Sequence, residues 1–227
     1  MYYEPGRSPS NLPYNPFKSC VVPRPIGWIS TVSKEGRHNL APFSQFQNVG
    51  YDPPIVMVSA NNRPNGTLKD TIRNILDTGE FVWSMATYAQ REQVSASAQE
   101  FPPGVDEFEL AGIRSLPSHQ VRARRVAESP AHFECRVRQT VYLPGNTPEA
   151  HTHLVIADVI GIHLADDHIT PDGRFDVLRA RPLARLGYLD YTSVESSFEM
   201  RIPNFRPGQT IEFLRESLPE QSVKGPS

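Results

Sequence analysis

The chain has 227 residues and a formal net charge of −2, from 23 basic and 25 acidic side chains. That length can bury a real core, and the near-neutral balance argues against a nucleic-acid protein that works by dense phosphate neutralisation. No apolar run reaches the ~18 residues that span a bilayer, and the polar start MYYEPGRSPSNLPYNPFKSC does not read as a signal peptide, so a soluble cytoplasmic protein is expected.

The first fifteen residues read as a polar, proline-rich surface arm. Ile26 to Val32 is a β-rich run, followed by the turn SKEGR and then HNLAPFSQF. The pair forms a hairpin that crowds Trp28, Pro25, Pro42, Asn39 and several hydroxyls together, more polar chemistry than a strand filling a core needs. Ile55 to Ala60 and Phe81 to Met85 are short buried strands. Leu68, Ile72, Ile75 and Leu76 mark one stripe of a helix, with Thr67 expected as N-cap, Asp70 as its capping-box partner and Gly79 as the stop. A second helix is expected over about residues 89–100, ended by Pro102 and Pro103. His132 to Leu143 alternates with period two: Phe133, Cys135, Val137, Val141 and Leu143 share one face. It pairs with the apolar run Leu154 to Leu164. After Asn204 the chain is polar, and a short helix is expected near residues 212–217 of this tail. The 22 prolines, about twice the ~5 % of average usage, punctuate short strands and long connections. Many strands, two helices and no regular alternation predict one antiparallel barrel domain.

No two glycines stand two apart, so a Rossmann dinucleotide fingerprint is absent, as are the P-loop, zinc-protease and nucleophile-elbow patterns. Cys20 and Cys135 show no ligand spacing and read as free thiols, with a disulfide as the alternative. His151 and His153 have no third partner, so no metal site is expected. What remains is NNRPNGTLKDT at 61–71, which enters the first helix. A helix start attracts anions, with Lys69, Thr67 and Thr71 to add contacts. Read alone, the segment is better taken as an ordinary capped surface helix with Lys69 solvated. Read with the preceding hairpin, a flat ring over Trp28, Pro25 or Pro42 and a phosphate at Lys69 explain both features.

RPIGWIST, GRHNLAPFSQF, DPPIVMVS, GTLKDTIRNI and GEFVWSM, followed by GVDEFELAGI, ESPAHFECRV, HLVIADV and ARLGYLDY, resemble the flavin reductase-like family of the FMN-binding split barrel. The likeness runs over about residues 16–203, and PFSQF is closest to the flavoredoxin-like branch. The resemblance implies a six-stranded split barrel, Greek-key in type, with FMN as cofactor and a homodimer as the assembly. It places Trp28, Ile29, Ser30 and Thr31 on one flavin-lining strand. Asn39, Ala41, Pro42, Phe43 and Ser44 meet the ring and ribityl from the returning strand. Ser59, Asn61, Lys69 and Thr71 hold the ribityl chain and phosphate, with Asn74 supporting the loop. His153 falls near the face where a nicotinamide or substrate approaches, or is simply a strand-end residue; Arg185 and Tyr191 are flavin or dimer contacts. No catalytic side chain is expected, since hydride passes from NADH or NADPH to flavin N5. An electron carrier reduced by a protein, a non-catalytic FMN-binding protein and a reductase of a small organic substrate are the alternatives.

Overall fold

The computed structural model describes residues 1–7 and 11–200. After the arm, α1 (Phe17–Cys20), β1 (Arg24–Pro25), β2 (Gly27–Val32), β3 (His38–Phe43), β4 (Phe46–Tyr51) and β5 (Pro54–Asn61) follow in quick succession. Then come α2 (Asp70–Thr78), β6 (Glu80–Met85), α3 (Arg91–Ala96), α4 (Glu107–Leu110), β7 (Ser115–Leu116) and β8 (Arg125–Val126). The long strands β9 (Ala131–Leu143) and β10 (Thr152–Leu164) precede α5 (Val177–Ala180), β11 (Leu183–Gly187) and β12 (Asp190–Ser193). Residues 196–200 have no regular structure, and the tail expected after Asn204 lies outside the described residues.

Seven strands form one antiparallel sheet in the order β3-β2-β6-β9-β10-β5-β4. Its two end strands are consecutive in the chain. Ser44 and Gln45 alone join them, and the Ser59 amide donates to the Gln45 carbonyl at 2.9 Å. The chain thus turns the corner from one edge of the sheet to the other. Counted as one bent strand, β3–β4 gives the six staves of the expected split barrel.

The inward row of β9 follows the alternation of the sequence, with Cys135 fully buried. Trp83 fills the interior. Its ring stacks on Phe46 (centroids 5.5 Å apart) and on Phe133 (4.4 Å), while Nε1 donates to the Ile26 carbonyl at 3.2 Å. Such aromatic pairs add about 0.5–1.5 kcal/mol each beyond the area they bury. Both cysteines are free, Cys20 exposed and Cys135 buried. No helix among the described residues is long and apolar enough to cross a membrane.

The other face of β9 is not open to water near its start. Glu134 is fully buried there, accepting the amides of His119, Gln120 and Val121 and a bond from His163 Nε2. Burial opposes its ionisation, but the His119 amide, His163 and the Gln120 amide outweigh that and hold its pKa below the usual value. The carboxylate therefore pins the connection between β7 and β8 onto the outer face of the barrel. Beside it, His132 is buried and donates from Nε2 to the Val126 carbonyl at 2.7 Å.

The first helix starts later than its apolar stripe suggests. Asn65 Oδ1 accepts both the amide and the hydroxyl of Thr67, at 3.1 and 2.7 Å, making a turn. Lys69, not Thr67, is the N-cap residue, and it makes no side-chain cap. Asp70 pairs with Arg63 and Arg73 instead of closing a capping box. Gly79 ends the helix in the left-handed conformation at φ 73°, as expected. The second helical stretch is a short 3₁₀ turn at Tyr88–Gln90 leading into α3.

Two outcomes follow from this core. A Cβ on Gly27 would stand 2.9 Å from Phe46 Cβ, Cγ and Cδ2, so Gly27→Ala should displace the stacked ring and cost about 1–3 kcal/mol in urea unfolding. Burial lowers the His132 pKa from 6.5 to about 4. Between those values the unfolded chain binds the extra proton, so acidification favours unfolding. Stability should fall by up to about 3 kcal/mol as pH drops through that window. His132→Gln, which keeps a donor but does not titrate, should flatten that part of the profile.

Candidate functional site

β2 lies between β3 and β6, and every one of its six residues is buried. Its side chains therefore support the site from behind. Trp28 packs with Leu40, Val94 and Phe108 on the outer side of the sheet, its Nε1 donating to Ser97 Oγ at 3.0 Å. Ile29 belongs to the barrel core, and Ser30 Oγ donates to the Arg124 carbonyl. Thr31 accepts from Asn74 Nδ2 at 2.9 Å. None of the side chains expected from this strand lines the cleft described next.

β3 is the edge strand, and its open side is where a cleft forms. The Leu40 amide points away from β2 and donates to Glu107 on α4 at 2.8 Å. Two residues on, Pro42 falls on the same side and has no amide to expose. That is the usual tolerance for proline in a strand edge.

A cleft of about 660 Å³ runs along this edge, within the size range of cofactor pockets. The β3–β4 corner contributes Ala41 to Gln45, and the end of β5 contributes Ala60 and Asn61. Arg63, Lys69, Asp70 and Thr71 close one part, and Ser97 to Phe101 form a further wall. Phe17, Lys18, Val21 and Arg24, with Arg185, Tyr188 and Tyr191, complete it. The segment that follows the arm thus reaches the cleft from Phe17 onward.

At the base is a buried polar chain. Asn39 Nδ2 donates to both Glu107 oxygens at 3.0 and 2.9 Å, and Asn39 Oδ1 accepts from Thr71 at 2.7 Å and from Thr31 at 3.3 Å. Asn74 donates onward to Thr31. Burial raises the Glu107 pKa, against the opposing effect of the Leu40 amide and Asn39. The chain fixes α4, β3, β2 and the first turn of α2 relative to one another. Buried networks of this kind specify geometry because each unpaired member costs about 1–3 kcal/mol.

The cations near α2 already have partners. Lys69 Nζ meets Glu100 at 2.9 Å and Arg63 meets Asp70 at 3.2 Å. Asn61 lines the cleft and donates to the Ala150 carbonyl at 3.4 Å. Ser59 does not line it. His153 stands outside the lining, opposite Ala60 and Tyr142 in register, with its ring 5.2 Å from that of Tyr142. Burial and then His151 lower its pKa. Tyr142 also bonds His151. Among the described residues no group of His, Cys, Asp and Glu is arranged to hold a metal ion.

Sequence reasoning missed Glu107, Arg63, Glu100, Arg24 and the α1 residues as parts of the site. The one local signal was DEFEL, where Asp106 caps α4 by accepting from the Phe108 amide at 2.9 Å. It marks a short helix start but says nothing of the partner on β3.

Comparison with known proteins places the chain in a family. An uncharacterised protein of Aquifex aeolicus is 38% identical over 182 residues, covering 80% of this chain and 90% of its own. The crystal structure of nitrilotriacetate monooxygenase component B from Bacillus cereus is 28% identical, with a TM-score of 0.81 over 88% of this chain and 98% of that one. Flavoredoxin of Desulfovibrio vulgaris (Miyazaki F) shares the fold at a TM-score of 0.67 and 18% identity, over 89% of this chain and 100% of that one. Residues 19–183 match the family described as flavin reductase like domain, and the chain belongs to that family, with its split-barrel fold.

Proposed function

We propose that the cleft along β3 holds FMN and that the protein is an NAD(P)H-dependent flavin oxidoreductase. The observation that carries this reading is the make-up of this cleft. It joins an open strand edge, apolar walls at Phe17, Phe43 and Phe101, and a pair of cations at the start of α2. The donor set fits such a group. Ala41 to Ser44 offer backbone polar atoms and a hydroxyl to a ring edge, and Asn61 and Thr71 reach the ribityl chain. Lys69 and Arg63 meet the phosphate beside the α2 amides. Bound FMN would supply a centre that accepts hydride from a nicotinamide.

The chain's own residues would bind and orient. Thr71 is held by Asn39, so the first turn of α2 is fixed before a ligand arrives, which lowers the cost of ordering on binding. Lys69 is held by Glu100, which is half-exposed. A phosphate would take over Lys69 and release Glu100 to water. His153 stays in this reading as a residue near the approach of the second substrate. A homodimer is also part of it, with the exposed Val49 and Tyr51 on β4 as apolar surface for a second copy; sedimentation as a monomer at micromolar concentration would remove that element.

The deciding experiment is an anaerobic titration of the FMN-loaded protein. Rapid loss of the yellow colour with NADH or NADPH supports the oxidoreductase. Reduction only by a protein donor points to an electron carrier, and binding without reduction by any donor rejects redox function. Lys69→Ala should weaken FMN by about tenfold or more, as expected for a lost charge-assisted bond. Glu100→Gln should tighten it several-fold by freeing Lys69. Fluorescence quenching reads both, and equal affinities in all three proteins would reject the phosphate assignment.

A further inference from the structure

The cleft has a second cationic region, built differently from the one at α2. Arg24 on β1 and Arg185 on β11 are directly opposite in the antiparallel register, and Lys18 joins them in the lining. Among the described residues none of the three is within ion-pairing distance of a carboxylate, whereas Arg63 and Lys69 are both paired. Like charges facing one another across a strand pair are destabilising. Here no carboxylate among the described residues relieves them.

Local contacts hold the two guanidinium groups without neutralising them. Arg24 Nη1 donates to the carbonyls of Lys18 and Val21 at 2.8 and 2.9 Å, which ties down α1. Arg185 lies over the Tyr191 ring, 4.3 Å from its centroid. Two buried polar atoms in this region, Arg24 Nε and Ser19 Oγ, have no hydrogen-bond partner among the described residues. Ser19 is packed against Gly187, whose φ of 107° and missing side chain permit the close approach. An oxyanion would answer the uncompensated charge, because a guanidinium presents paired donors that suit carboxylate and phosphate.

The position also separates this region from the α2 cations. Arg24 and Arg185 sit on the separate three-stranded sheet β1-β11-β12, whereas Arg63 and Lys69 lie between β5 and α2. We propose that Lys18, Arg24 and Arg185 form a second oxyanion subsite in the cleft, which takes a carboxylate or phosphate of the molecule that exchanges electrons there. The role of the molecule, though not the subsite itself, rests on the functional reading above.

The test uses the FMN-loaded protein and two non-reducing probes, ADP-ribose for dinucleotide phosphates and benzoate for an organic acid, titrated by calorimetry. Arg185→Gln should weaken whichever probe binds by about tenfold and change FMN affinity by less than about threefold. Lys69→Ala should do the reverse. Lys18→Gln, on an exposed position of α1, should weaken the same probe and gives a reading even if the Arg185 variant does not fold. A response to ADP-ribose identifies a nucleotide donor and a response to benzoate an acidic acceptor. The proposal is overturned if the wild type binds neither probe, or if Arg185→Gln weakens FMN as much as Lys69→Ala does. If the wild type binds no FMN yet binds a probe through Arg185, the subsite stands and the cofactor reading falls.

Discussion

Asn39 is the constraint on which the site depends. One buried amide group donates twice to Glu107 and accepts from Thr71 and Thr31. Its partners lie on three different elements, α4, α2 and β2, so the position of each relative to β3 is fixed by the same few atoms. The hydrophobic core would tolerate small slides of α2 over the barrel; hydrogen bonds of about 2.7–3.0 Å do not. A cleft wall assembled from a strand edge, a helix start and a short covering helix therefore keeps one shape.

The barrel supplies what the network cannot. The Phe46–Trp83–Phe133 stack fills the interior from three strands and brings the β3–β4 corner close to β2 at Gly27. On the outside, Glu134 performs a comparable task with charge, fastening the β7–β8 connection through consecutive amides. The two devices act on opposite faces of the sheet, and between them the central strands are enclosed on both sides.

That enclosure explains what could and could not be read from the residues alone. The alternation in HFECRVRQTVYL, the stripe of Ile72 and Ile75 and the stop at Gly79 are local signals, and the structure follows them. The corner Ala41 to Ser44 was readable because proline and hydroxyls are unusual in a strand, and those residues do line the cleft. Trp28 to Thr31 look equally suited to a ligand, yet a strand with neighbours on both edges and cover on both faces has no surface to offer. Whether a strand is central or at an edge depends on pairings made by distant segments. The same holds for Glu107 and Asn39, 68 positions apart, and for Arg24 opposite Arg185. Thr67 was misleading for a local reason: Asn65, two residues earlier, captures it first.

The Lys69–Glu100 pair has a consequence for how the two parts of the cleft respond to ionic strength. At α2 an anion bound as proposed would exchange places with a carboxylate, so added electrolyte would screen the attraction that is lost as well as the one that is gained. Where Arg24 and Arg185 stand unpaired, only the gain is screened. Raising the salt concentration should therefore loosen a ligand held by the arginines sooner than one held at the helix.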